Sequence, residues 1–183
     1  MKTIGIILLV IIGGIGLFIC LLYATVKAKT TSLNQYQPFN EWIGKTVKLN
    51  KEVVLFKDKI STNKNYDYPF IMLDSLHPKW KYVEERTTMA EPDLEMIVKL
   101  SVGTILKFDK AIQYTNGVSG SSYPTIFGII TTKSREYKIG YQWGNIDIGK
   151  KYDKVEKCWH FHQAPWQEKQ DTAFYALPIA NFW

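Results

Sequence analysis

The chain has 183 residues, 46% hydrophobic and 14% aromatic, a composition that excludes a disordered tail and can fill one core without disulfide staples. Its net charge of +6 is uneven: residues 27–64 hold eight lysines against three acids, residues 65–100 four basic groups against seven acids, and residues 101–183 ten against seven. Interspersed charge of this kind is not the dense basic stripe of a nucleic-acid binder, so no nucleic-acid partner is expected.

Residues 4–23, IGIILLVIIGGIGLFICLLY, are uncharged throughout. Twenty residues at about 1.5 Å of rise each span about 30 Å, the thickness of a bilayer's hydrocarbon core. The run is predicted to be a retained transmembrane anchor over 1–26, with the lipid bilayer as partner of residues 4–23. Two alternatives are weighed. A cleaved signal peptide has a shorter apolar core of about 7–15 residues, although Val26-Lys27-Ala28 offers small residues near a cleavage position. A lipoprotein signal would lipidate Cys20, but Ile19 stands where Gly or Ala is needed. Orientation is nearly balanced, with Lys2 on one side and Lys27 and Lys29 on the other. The short leading tail favours a bacterial inner-membrane anchor that exports its C-terminal domain. Gly16, Cys20 and Ala24 form a small-residue stripe through which two anchors would weakly self-associate.

Residues 27–40, KAKTTSLNQYQPFN, show no hydrophobic period and read as a juxtamembrane linker. Residues 41–183 read as one β-rich globular domain. Alternation or β-favouring runs predict strands over 46–49, 52–56, 68–73, 81–85, 104–114, 124–132 and 136–143, and last strands over 155–161 and 172–179. Residues 57–65 and 144–154 read as polar loops. Residues 86–99 fit a loop and a strand better than a short helix opened by Pro92. Tyr137, Ile139, Tyr141 and Trp143 share one face at a period of two, in a hairpin turned by 133–135. No long amphipathic helix follows the anchor. The fold class is therefore mostly β, an N-terminal transmembrane helix followed by a small β-barrel or rolled sheet.

Gly44-Lys-Thr-Val-Lys-Leu-Asn-Lys-Glu-Val53 aligns without gaps to Gly103-Thr-Ile-Leu-Lys-Phe-Asp-Lys-Ala-Ile112. The echo fits either two small tandem barrels or, preferably, one domain using the same turn-strand solution twice. With Phe127-Gly128-Ile129 and Tyr141-Gln142-Trp143 as closing strands, residues 41–145 resemble bacterial membrane-anchored proteins with a Src-homology-three-like barrel. The resemblance implies a binding or scaffolding module of the cell envelope.

Chemistry concentrates in Cys158-Trp159-His160-Phe161-His162. On a strand Cys158, His160 and His162 would share a face, a candidate metal set if His77 or a carboxylate completed it. The plainer reading is polar alternates facing water. Cys20 and Cys158 cannot plausibly pair, since one lies in the apolar run. Some of the six tryptophans must be core; any surplus near a groove would suit peptide or glycan contact, with Trp80, Trp143, Trp159 and Trp166 as the candidates. The terminal Asn181-Phe182-Trp183 is apolar enough to dock back on the domain. No catalytic motif or cofactor is expected. The function read from the sequence is a membrane-tethered, non-catalytic binding domain for a protein, peptide or cell-envelope component. The alternatives are an inhibitor or immunity-type protein neutralising a toxin, and a metal-handling envelope protein.

Overall fold

The structure is a computed structural model that describes residues 2–59, 67–90, 92–133 and 135–178. It opens with α1 (Lys2–Val26), a helix whose large apolar side chains at residues 4, 6, 9–12, 15, 17–19, 21–23 and 26 stand in the open. Within it, Ile4–Val26 is long and apolar enough to cross a membrane, and none of that stretch is buried against the rest of the protein. Water would solvate such a surface poorly, whereas lipid tails match it.

The remainder is mostly β. The strands are β1 (Lys29–Ser32), β2 (Thr46–Lys48), β3 (Val53–Asp58), β4 (Phe70–Leu73), β5 (Leu94–Leu100), β6 (Ile105–Thr115), β7 (Ser122–Thr131) and β8 (Glu136–Gln142). They form one eight-stranded sheet in the order β1-β6-β7-β8-β4-β3-β5. The long β6 takes β1 along its second half and β2 along its first. All pairs are antiparallel except β4 with β8, which run parallel through Phe70↔Ile139 and Ile71↔Gly140. The end strands do not meet among the described residues, so the sheet is rolled and not closed into a barrel.

The internal echo has a structural counterpart. Its two copies are sheet neighbours, with Thr46↔Lys107, Val47↔Leu106 and Lys48↔Ile105 in antiparallel register. Each copy opens on a glycine in the left-handed region, Gly44 at φ +81 and Gly103 at φ +85, where an L side chain is strained.

Four sequence expectations are corrected. The linker over 27–40 is built into the domain: β1 pairs with β6, and Leu33 and Phe39 are fully buried. Its low hydrophobicity suits an edge strand that buries alternate residues only partly. The strand expected over 81–85 is a helix, α2 (Trp80–Thr87), which buries Val83. The last strands shrink to β10 (Trp159–His160), paired with β9 (Asn145–Ile146), and a single bridge from Trp159 to Tyr175. The loop over 144–154 contains α3 (Ile148–Tyr152), where Asp147 accepts from the Lys150 amide at 3.0 Å. Calls on residues 60–66, Glu91, Ser134, residue 179 and Asn181-Phe182-Trp183 lie outside the described residues.

The sheet has two dissimilar faces. On the inner face Val53, Leu55, Met72, Leu106, Phe108, Ile126, Ile130, Ile139 and Tyr141 meet Phe39, Trp143, Trp159, Phe161 and Trp166 in one cluster. Opposite them, α2 closes a smaller cluster of Val54, Phe56, Leu73, Val83 and Leu94, with Trp80 edge-on to Phe56 at 6.2 Å. Among the described residues the rest of that outer face, beyond α2, is open enough to form the cleft described next.

Candidate functional site

The alternation of β7 generates the site. Ile126 and Ile130 point inward and are fully buried, so Tyr123, Thr125 and Phe127 point outward. Register then sets their neighbours: Phe127 lies opposite Gly140, Gly140 opposite Ile71, Thr125 opposite Gln142, and Tyr123 opposite Tyr114. These residues floor a cleft of about 570 Å³, within the size range of small-ligand sites. Gly140 keeps the floor flat, because a Cβ there would sit 3.0 Å from the Phe127 ring. Tyr114 and Tyr123 stack at 5.5 Å with an interplanar angle of 20°.

One wall comes from α2 and the turn before it, through His77, Lys79, Tyr82, Val83 and Arg86. The other is Tyr68, whose ring lies 4.9 Å from Phe127 and whose hydroxyl donates to Asp109. Lys110 sits over the Tyr68 ring at 4.7 Å. Lys57 and Asp58 complete the far end. Arg86 is held by Asp93 through Nε at 2.8 and 3.0 Å and through a further Nη2 contact. That hydrogen-bonded pair raises the Arg86 pKa and lowers that of Asp93. Lys79 has no ion-pair partner among the described residues, and burial lowers its pKa.

Behind the cleft lies a buried polar chain. His77 is 4% exposed; its Nε2 donates to the Gln142 carbonyl at 2.8 Å and its Nδ1 accepts from the Lys79 amide at 3.0 Å. Its ring abuts His162 at 4.7 Å. The Tyr141 hydroxyl donates to Asp74 Oδ1 at 3.1 Å and, in the tautomer this implies, accepts from His162 Nε2 at 3.0 Å. Lys51 Nζ approaches Asp74 Oδ2 at 4.0 Å, and both atoms, like His162 Nδ1 and Trp166 Nε1, have no hydrogen-bond partner among the described residues. Desolvation dominates the titration here. It lowers His162 to about 3, helped by His77, His160 and Lys51, and lowers His77 against the pull of Gln142 and Asp74. It also raises Tyr141 well above the ordinary tyrosine range, with the Asp74 charge adding to the shift. Neutral histidines and a protonated tyrosine make this chain a fixed support for the cleft's closed end.

The residues expected to act are distributed differently. Cys158 is a buried free thiol, His160 lies against Phe174 at 5.9 Å, and His162 bonds Tyr141. Among the described residues no group of three or more His, Cys, Asp or Glu side chains is placed to hold a metal ion, so the Cys158, His160, His162 set is not assembled. The short β10 explains this, because the chain leaves the strand after His160 and the alternation required for a shared face ends there. Of the candidate binding tryptophans, Trp143 is fully buried and Trp159 and Trp166 are 4% exposed, all in the inner core. Their rings pack edge-to-face, as Trp143 does with Phe161 at 4.9 Å and Trp166 at 5.3 Å. Trp80 alone lies beside the outer face, as packing for α2. The cleft residues carried one sequence signal, an aromatic at the outward position 127 of a strand whose inward positions were already apolar.

The chain matches no protein-family model, no curated protein and no solved structure.

Proposed function

We propose that this chain is a membrane-tethered, non-catalytic binding domain that takes a protein, peptide or cell-envelope component in the outer-face cleft. The carrying observation is the cleft itself: about 570 Å³ floored by apolar and aromatic side chains on strands paired on both sides, with cations at its margin. A rigid floor preorganises such a site. The non-catalytic reading is favoured by His77, the histidine nearest the ligand space, whose two ring nitrogens are both engaged by backbone groups. The anchor is assigned to α1 in a bacterial inner membrane, with the C-terminal domain exported. Its uncovered apolar surface supports the first part of that assignment.

The test uses a photo-crosslinking amino acid placed in cells at Tyr82 or Tyr123, with Met96 as a control outside the cleft. The reading requires an adduct of defined mass from the two cleft positions and none from position 96. Equal labelling at all three sites rejects it. A C-terminal reporter active only outside the inner membrane tests the export assignment, and an inactive reporter reverses it.

A further inference from the structure

The cleft's composition and position narrow the ligand beyond the binding reading on which this step rests. Its floor, Ile71, Gly140, Phe127 and Leu73, is apolar. The floor strands β4, β8 and β7 are hydrogen-bonded to neighbours on both sides, so a peptide laid on them would find no free backbone edge. Its own amides would be desolvated without partners. A hydrocarbon chain carries no such groups. The margin is cationic: the lining holds Lys57, Lys79 and Arg86 against Asp58. Arg86 is engaged by Asp93, which leaves Lys57 and Lys79 without an ion-pair partner among the described residues, and of the two Lys79 stands at the start of α2, on the wall that His77 shares.

Position adds the source. Thr30 pairs with Tyr114, four residues beyond the end of α1, which is about 14 Å at full extension. The hairpin tip between β6 and β7 also touches the helix, since a Cβ on Gly117 would run into the carbonyls of Thr25 and Lys27. The Tyr114–Tyr123 stack at the cleft's edge therefore lies beside the end of α1 that meets the bilayer surface. Tyrosine rings suit that boundary, with an apolar body and a polar tip.

We propose that the cleft holds a single-chain anionic lipid drawn from the adjoining bilayer, its chain over the Phe127–Gly140–Ile71 floor and its anionic group at Lys79.

The full chain is reconstituted in nanodiscs and exposed to a diazirine-bearing fatty acid, and adducts are mapped by mass spectrometry. Labelling of α1 serves as the internal standard for lipid contact. The expected result is label at Tyr68, Tyr82 or Phe127, competed at least fivefold better by oleate or lysophosphatidate than by oleyl alcohol. Lys79→Gln lowers cleft label at least fivefold relative to α1 label, and so does Thr125→Trp, which fills the floor. The two competitors separate a carboxylate preference from a phosphate preference. Label confined to α1 overturns the lipid proposal while cellular crosslinks from Tyr82 and Tyr123 still stand for another ligand. Equal competition by oleyl alcohol overturns the anionic assignment. Unchanged cleft label in Lys79→Gln overturns the role given to that lysine.

Discussion

The two faces of the sheet are finished in opposite ways. The inner face is sealed by Trp143, Trp159, Phe161 and Trp166, none more than 4% exposed, and its rings meet edge-to-face. Among the described residues the outer face is roofed over β3, β4 and β5 alone, by an eight-residue helix whose sole buried residue is Val83. The difference separates two tasks. Aromatic residues inside supply cohesion, whereas those outside, Tyr68, Tyr82, Tyr114 and Tyr123, line an open cleft.

This contrast breaks first at the inner face. Trp143→Ala is expected to cost about 3–5 kcal/mol, read as a lowered urea midpoint. A loss under about 1 kcal/mol would show that the aromatic cluster is not one cohesive unit. Tyr141→Phe strips the hydroxyl joining Asp74 to His162 and leaves two buried groups short of a partner. The expected loss is about 1–3 kcal/mol, with Asp74→Asn in the same background tested for coupling by a double-mutant cycle.

Acid sharpens the same boundary, because His77 and His162 sit where the two faces meet. Both folded-state pKa values lie below the ordinary 6.5, so the unfolded chain binds more protons as pH falls. Their contribution is complete above pH 6.5 and is lost downward from there, for His162 through to about 3. Each histidine contributes a slope of up to about 1.4 kcal/mol per pH unit. Urea midpoints at pH 7 and pH 5 should therefore differ, and a flat profile would contradict the burial of both rings.

Smaller effects are expected at a strand-entry turn and on the cleft wall. Gly103→Ala forces φ +85 on an L residue with no atom within 4 Å to clash, so backbone strain alone should lower stability by about 1 kcal/mol. Tyr82→Ala, on an exposed residue, should shift stability by less than about 0.5 kcal/mol while reducing cleft label. A large stability change there would mean that this wall is structural after all.

Periodicity made the β6–β7–β8 region legible. Tyr137, Ile139, Tyr141 and Trp143 alternate as strictly in the structure as in the sequence, and Ile139, Tyr141 and Trp143 are fully buried. The glycines before β2 and β6 marked strand entries for the same local reason. Elements stabilised by few residues were illegible. WKYVEERT has one buried side chain and no side-chain cap, so neither amphipathic spacing nor capping announced α2. Residues 161–178 are rich in aromatics but make few backbone pairs; they cover the sheet by side-chain packing, which carries no period. The cleft required register across β4, β8 and β7, an arrangement of distant segments that no single run of residues encodes.

The join between α1 and β1 has a mechanical consequence. Only Lys27 and Ala28 separate them, and the Lys27 amide still bonds the Tyr23 carbonyl at 3.1 Å. A flexible tether of fourteen residues would let the domain roam about 20 Å; two residues permit at most about 7 Å. With the Gly117 tip braced against the end of the helix, the sheet is geared to α1. Rotating α1 about its own axis would swing the cleft like a hand on a spindle, so the azimuth of one apolar helix decides which way the cleft faces.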